Sequence, residues 1–430
     1  MELENIDFVH LKYSLFLRRR FLPVFLATFL GVFNDNLLRS GLVVLIAYSA
    51  SKGIALPVRP EILVTLCAAL LVIPSILFSS TAGALADKYE KSQLVRATKI
   101  AELFIMLGAW YGFEQQNIWL LMALLFFSGT HTAFYSPIKF SILPEHLAPK
   151  ELLAGNGFMA AGGHLAMLGG MIAGGLLVEL DGNMIGLAAL AIAALGMVAS
   201  LLIPSTGQSH PQTVVHFNFI KSSKEIICHA CTDALVMRAI LCLSWFLAVG
   251  SVYMSQFANY ANHVVHANNE VYTLFLTVFS VGIAAGSLLC DTLLKGEVTP
   301  KFIPVAAFGI SVFTALLVFT TPAPQHDGLI GISDFIGNPA YGGLLLSMAM
   351  VAVCGGLYMV PLYTLLQSRA QASHRSRVIA ASNFSDSVFM TLMALFSVVL
   401  LSLGFDVRDL FIIVAILNLG MVFYARRLTR

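Results

Sequence analysis

Three sets of polar residues stand where an apolar chain would least tolerate them, and each could do chemistry. The first is Asn34-Asp35-Asn36 with Arg39, inside a long apolar run. If a helix starts at Phe21, Asp35 lies about 21 Å along it at 1.5 Å per residue, near the centre of a bilayer. An ionisable group there costs several kcal/mol and is a functional candidate facing a cavity. A carboxylate at that depth can hold a cationic group. Arg39 is four residues on, so the two side chains can instead pair on one helix face, and both readings stay open. Three consecutive polar residues cannot share one face, so at least one points into protein.

The second set is Tyr135-Ser136-Pro137-Ile138-Lys139, followed by Leu143-Pro144-Glu145. Pro137 frees a carbonyl. Lys139 can meet a phosphate or snorkel to the interface. Gln256, Tyr260, Asn383 and Asp386 are further candidates in later apolar runs, and each serves equally well as hydrogen-bonding glue between helices. The third set is Gly83-Ala84-Leu85-Ala86-Asp87-Lys88-Tyr89-Glu90-Lys91, in a loop. A glycine there allows close helix contact. The carboxylate suits a helix N-terminus and the cations a helix C-terminus, so Gly83, Asp87, Lys88 and Lys91, with Glu145, form a candidate conformational latch.

Enzymatic signatures are missing. No loop carries clustered His and carboxylates, a Gly-x-Ser-x-Gly elbow or a phosphate loop. Cys228-His229-Ala230-Cys231 has no second cysteine pair, and His263 with His266 has no third ligand. The expectation is no catalytic residue, no metal, no cofactor and no nucleic-acid partner. The six cysteines are dispersed, which argues against a disulfide framework.

These residues need elements to position them. The 430 residues are 58% hydrophobic and only 11% charged, with a mean hydropathy of +0.84. A soluble domain carries roughly 25% charged residues, so most of this surface must face lipid. A helical span needs about 20 apolar residues. Spans are expected at 21–47, 61–86, 94–113, 117–139, 156–179, 184–203, 237–262, 271–294, 302–321, 341–367, 378–403 and 408–425. This is an all-α membrane protein. Its expected organisation is a cytoplasmic segment 1–20, a six-helix bundle 21–204, a linker 205–236, a second six-helix bundle 237–425 and a tail 426–430. With the N-terminus inside, Arg18–Arg20, Lys88, Lys91, Lys150, Lys221, Lys224, Arg375, Arg377 and Arg426–Arg430 fall in the cytoplasm. Lys52, Arg59 and Arg408 fall outside. That asymmetry places both termini in the cytoplasm.

Two six-helix halves joined by a cytoplasmic loop resemble the plan of major facilitator transporters, in which substrate sits between the halves near the midplane. The Gly83–Lys91 segment resembles the loop signature of that superfamily, with Glu90 where the pattern has glycine. Gly170-Met171-Ile172-Ala173-Gly174-Gly175 resembles its glycine-rich antiporter motif, with Met171 in place of proline, and reads as close helix packing. A narrower resemblance, to the bacterial lysophospholipid transporters, rests on Phe33–Asn36, Tyr135–Lys139, Leu143-Pro144-Glu145 and Ser244-Trp245-Phe246. Gln256-Phe257, Gly355–Leu362 and Leu366-Gln367 extend it. The span-seven stretch through Tyr260 is most similar to the transporter half of fusions with a lysophospholipid acyltransferase. Standalone members place a cation in span seven, where this chain reads Tyr253-Met254-Ser255-Gln256.

The resemblance implies a major facilitator fold in a bacterial inner membrane. It also implies flipping of lysophosphatidylethanolamine, with lysophosphatidylglycerol as a second headgroup, from the outer to the inner leaflet for re-acylation. A lysophospholipid acyltransferase is then a candidate partner besides the membrane lipids. Asp35 would meet the ammonium of the headgroup, and Lys139 or Arg39 its phosphate. The competing readings are a proton-coupled exporter of amphiphilic drugs and a non-transporting membrane partner of an acyltransferase.

Overall fold

The computed structural model describes residues 15–47, 59–180, 182–207, 210–215, 219–323 and 328–428. The segment before Leu15, residues 48–58 with Lys52, and the last two residues lie outside the described residues.

Among the described residues, twelve long helices follow the apolar runs. They are α1 Leu22–Ala47, α2 Pro60–Lys88, α3 Lys91–Glu114, α4 Ile118–Ser141, α5 Leu152–Leu180 and α6 Gly182–Leu201. The second set comprises α7 Ala234–Asn259, α8 Asn269–Leu294, α9 Ile303–Thr320, α10 Gly342–Arg369, α11 Arg375–Ser402 and α12 Val407–Ala425. Several begin on side-chain caps that satisfy the first backbone N–H groups. Asn117 accepts from the Leu120 amide at 3.0 Å at the start of α4, and Asp233 from the Leu235 amide at 2.8 Å at the start of α7. Asp406 and Asp409 cap α12 reciprocally. A shorter helix, Phe219–Cys231, lies in the linker.

Eleven of the twelve are long and apolar enough to cross a membrane. The exception is α3, which carries Lys91, Arg96, Lys99, Glu102 and Glu114. Large apolar side chains such as Phe319 and Phe423 stay exposed, at 78% and 65%. That suits a surface solvated by acyl chains. Among the described residues no strand forms, and the one isolated bridge joins Ala267 to Ile330.

The chain divides into two compact units. Unit 1 is residues 1–155, 165–232 and 367–384, and unit 2 is residues 156–164, 233–366 and 385–430. In unit 1, α3 packs along α6, α2 along α4, and α1 against both α4 and α6. Its apolar core gathers Leu37, Leu38, Leu42, Met106, Phe113, Leu121, Leu125, Ile185 and Ala189. Gly170 and Gly174 of α5 lie so close to the α1 backbone, at the Phe33 and Leu37 carbonyls, that a β-carbon on either would collide with it. In unit 2, α9 packs along α12, and α7 packs against α8 and α12.

Candidate functional site

The three polar residues of α1 turn to three different neighbours within unit 1. Asn34 is fully buried, and its amide donates to the Ala189 carbonyl of α6 at 3.0 Å and to Glu102 Oε1 of α3 at 3.4 Å. Asp35 accepts hydrogen bonds from two hydroxyls of α4, Ser128 at 2.5 Å and Thr132 at 2.7 Å. Asn36 donates back to the Val32 carbonyl of its own helix at 2.8 Å and lies beside Gly170 of α5. The Asp35 carboxylate thus turns to α4 rather than to Arg39, whose side chain is exposed.

Next to Asp35 lies a charged cluster built on α3, the one long helix whose composition falls short of a membrane span. Lys99 and Glu102 form an ion pair of 2.6 Å with side-chain exposures of 0% and 2%. His131 of α4 places Nε2 3.7 Å from Glu102 Oε2. Tyr135 holds the group together from below. Its ring stacks on His131 at 5.8 Å and carries the Lys99 ammonium 5.2 Å from its centroid, while its hydroxyl meets Thr28 Oγ1 at 2.9 Å. Lys139, one turn further along α4, is half-buried with its ammonium 5.0 Å from the Phe140 ring centroid. Among the described residues no carboxylate lies within ion-pair distance of it. Unit 1 therefore sets a hydroxyl-bound carboxylate, a buried ion pair and an unmatched ammonium along one stretch of α1, α3 and α4. That arrangement can take a group bearing both charges.

The second cluster of unit 1 sits where α2 ends and α3 begins; Gly83, Asp87 and Lys88 belong to the last turns of α2 rather than to a loop, and only residues 89–90 separate the two helices. Asp87, fully buried, caps the N-terminus of α11. Oδ1 accepts from the Ser376 amide at 2.8 Å, and Oδ2 from the Arg377 amide at 3.2 Å and its Nε at 3.1 Å. Gly83 makes this approach possible, since a β-carbon there would lie 2.5 Å from Ala380 Cβ. Lys91 pairs with Glu145 at 2.5 Å, and Glu145 also accepts from Thr206 at 2.8 Å. Lys88 lies over the Tyr89 ring at 5.8 Å. Arg377 extends the cluster to Glu225 of the linker helix at 3.3 Å. Glu90 begins α3. Burial pushes its carboxyl up, but hydrogen bonds from Ser92 and Ser205 prevail and hold it below the usual range.

Asp87→Asn should weaken this cap. The amide keeps one acceptor for Ser376 but turns a donor toward the Arg377 donors, and an ion–dipole contact of about 0.3–2 kcal/mol is lost. Expression should survive while transport slows. In a background without the native cysteines, a cysteine replacing the buried Ser376 should react faster with a thiol reagent. Unchanged transport and reactivity would reduce the cluster to a charged turn.

In unit 2, Asp386 of α11 accepts from Ser244 of α7 at 2.6 Å, and Ser244 lies 2.9 Å from Ser385. Gln256 accepts from Asn259, one turn on along α7, at 2.9 Å. Tyr260 is buried, stacked 5.2 Å from Phe411, with its hydroxyl 2.7 Å from Thr321. Its surroundings make it a packing residue of unit 2. Asn383 belongs to unit 1 and is half-buried. Cys228 and Cys231 are exposed on the linker helix. Among the described residues no group of three His, Cys, Asp or Glu side chains is arranged to hold a metal ion.

Sequence reading passed over Lys99, Glu102, His131, Ser128 and Thr132. Two opposite charges three residues apart within a span were the available signal, and so were hydroxyls four apart on the next one.

Comparison with known proteins shows the family and the fold. The Major Facilitator Superfamily profile matches residues 24–333. A protein of Escherichia coli O157:H7 named lysophospholipid transporter LplT is 26% identical over 377 residues, covering 86% of either chain. Its namesake from Shigella boydii matches equally. Among solved structures, the human organic anion transporter MFSD10 aligns over 95% of this chain and 99% of its own with a TM-score of 0.73 at 13% identity. The Escherichia coli fucose:proton symporter FucP aligns over 96% and 100% with a TM-score of 0.67 at 12% identity. At such identities the structures speak for the fold alone.

Proposed function

We infer from its membership of the Major Facilitator Superfamily, to which this chain belongs, that the protein is a transporter and not an enzyme, and we propose that its cargo is a lysophospholipid. The observation that carries the cargo is the match over 86% of either chain to proteins named for that activity. The charges of unit 1 are consistent with it. A lysophosphatidylethanolamine headgroup offers an ammonium for Asp35 and a phosphate for Lys139, and charge-assisted hydrogen bonds are the strong kind. The hydroxyls of Ser128 and Thr132 hold the Asp35 carboxylate in place beforehand, which lowers the ordering cost of binding.

In this reading the membrane is a bacterial inner membrane, and lysolipid moves from its outer to its inner leaflet, where an acyltransferase re-acylates it. The two six-helix bundles are joined by the cytoplasmic linker 205–236. The Gly83, Asp87, Lys91 and Glu145 cluster works as a latch on the cytoplasmic side.

The test is reconstitution of the purified chain in vesicles and measurement of labelled lysophosphatidylethanolamine in each leaflet. The expected result is protein-dependent flipping of the lysolipid and none of an amphiphilic cationic dye. Transport of the dye alone would favour a drug exporter, and movement of neither would favour a non-transporting partner. Orientation is tested separately. Cysteines at Lys52 and Arg408 should label from outside, and those at Lys221 and Arg375 only from inside. The reverse pattern would invert the topology.

A further inference from the structure

The outer wall of unit 1 carries a cleft that headgroup binding by Asp35 and Lys139 does not use. Helices α2 and α3 both pack along α4 but scarcely along each other, so a gap stays open between them with α4 as its floor. The cleft holds about 570 Å³. Ala97, Ala101 and Phe104 of α3 stand on one side, Leu85 of α2 on the other, and Phe127 and Phe134 of α4 at the bottom. Ala97 and Ala101, one turn apart, leave the room that longer side chains would fill. Two threonines also reach it, but their hydroxyls are already spent on carbonyls of their own helices. Thr98 donates to Val95 at 2.8 Å and Thr130 to Phe126 at 3.0 Å. The mouth opens outward, with Phe104 68% and Phe127 54% exposed. Around a bundle of membrane-spanning helices that outside is hydrocarbon.

The dimensions of the cleft are those of one leaflet. From Leu94 to Phe104 it follows α3 for ten residues, about 15 Å at 1.5 Å per residue. Half of a hydrocarbon core of about 30 Å is the same length. At one end stand Lys88 and Tyr89. Lys88 follows Leu85 by three residues and so shares its side of α2. Its ammonium lies 5.8 Å from the Tyr89 ring centroid, and among the described residues no carboxylate is within ion-pair distance of it. Tyr89 is 48% exposed. A cation beside an amphipathic ring marks the level of the lipid phosphates.

We propose that this cleft binds a diacyl phospholipid of the surrounding bilayer, with one acyl chain lying over α4 between the levels of Leu94 and Phe127 and the phosphate resting on Lys88. The second chain stays in the bilayer through the open mouth. This lipid is a resident of the protein and not its cargo, since neither Asp35 nor Lys139 is among the walls. Its effect follows from what lies behind the floor. His131 closes part of that floor, is 7% exposed and faces Glu102 at 3.7 Å, and Glu102 holds Lys99 at 2.6 Å. Water standing in the cleft would raise the local dielectric and weaken that pair. A hydrocarbon chain needs no polar partner from the apolar walls and keeps the pair dry.

The experiment uses the full chain in phosphatidylethanolamine vesicles with a trace of phosphatidylglycerol that carries a photoactivatable diazirine in one acyl chain. Peptide mapping after irradiation reads where the chain lies. Cross-links should concentrate on the peptides of α3 and α4 that hold Phe104 and Phe127. Ala101→Phe fills the cleft from its lipid side and should bring those cross-links down to the level of other lipid-facing helices, while lysolipid flipping persists. If that variant does not fold, Ala97→Leu replaces it as a smaller filling. Lys88→Gln should reduce the labelling, because the phosphate loses its cation. Labels spread evenly over the lipid-facing helices of wild type overturn the proposal. So does labelling of the cleft that the filling variant leaves unchanged. Displacement of the label by excess lysophosphatidylethanolamine would make the cleft a cargo site and overturns it as well. Labelling indifferent to Lys88→Gln overturns the assignment of the phosphate. Cross-linking does not depend on flipping, so a wild type that is labelled in the cleft yet flips no lysolipid upholds this site and refutes the transport reading alone.

Discussion

Replacing Glu102 by alanine should destabilise the protein by about 3–5 kcal/mol, the cost of leaving a buried partner charge uncompensated. Lys99 would remain fully buried, its ammonium 5.2 Å from the Tyr135 ring and no longer facing a carboxylate on its own helix. It must then either stay charged in a low-dielectric interior or give up its proton, and both options cost free energy. The Asn34 amide would keep its bond to the Ala189 carbonyl and lose the one to Glu102. A double replacement, Lys99→Met with Glu102→Leu, removes both charges and fills similar volume. A buried ion pair exchanged for apolar residues is often neutral or stabilising, so the double variant should recover most of the loss. Thermal unfolding of purified protein in detergent checks both. A single variant as stable as wild type would show that the pair holds nothing in place. A double variant as unstable as the single would show that packing, not charge, sets the cost.

That pair also shows where sequence reading ends. Eleven helices were legible because an apolar run of about 20 residues has one stable form in lipid, with every backbone group bonded inside the segment. The span over 94–113 was legible as a helix, but its chemistry was not. Lys99 and Glu102, three residues apart, leave this helix less apolar than the other eleven, but their charges do not say which way they face. Whether they face lipid, water or α1 depends on the packing of α3 against α6. Asp35 posed a related problem. Its separation of four residues from Arg39 permits an ion pair, and nothing local excludes one. The outcome depended on Ser128 and Thr132, one turn apart on α4, which present two hydroxyls to the carboxylate. The Asp87 cluster shows the same limit at longer range. A carboxylate suited to a helix N-terminus is readable from residue type, but the helix it caps begins 288 residues later, at Arg375. His131 gave no signal, because a lone histidine in an apolar run is usually a packed side chain. Its place beside Glu102 depends on the packing of α3 against α4.

Asp35→Asn should lower the affinity for lysophosphatidylethanolamine by between about tenfold and a hundredfold, equivalent to a charge-assisted hydrogen bond of about 1.5–3 kcal/mol. The substitution is nearly isosteric. Its amide oxygen can still accept from Ser128 or Thr132, so the fold should survive. A lysolipid without an ammonium, such as lysophosphatidylglycerol, should lose much less, because the missing charge has nothing to meet in that headgroup. Arg39→Gln added to Asp35→Asn should bring no recovery, since the Asp35 hydrogen bonds come from α4 and no Arg39 charge is stranded by the first change. Lys139→Gln should weaken both lipids alike, because both carry a phosphate. The measurement is binding and flipping of the two lipids by wild type and each variant at matched protein levels. Equal losses for both lipids in Asp35→Asn would remove the ammonium contact from this carboxylate. Full recovery in the double variant would make Asp35 and Arg39 a structural pair, and the headgroup site would then have to be built around Lys139. Selectivity that follows the ammonium, together with indifference to Arg39, would tie the charge of Asp35 to the cargo rather than to the fold.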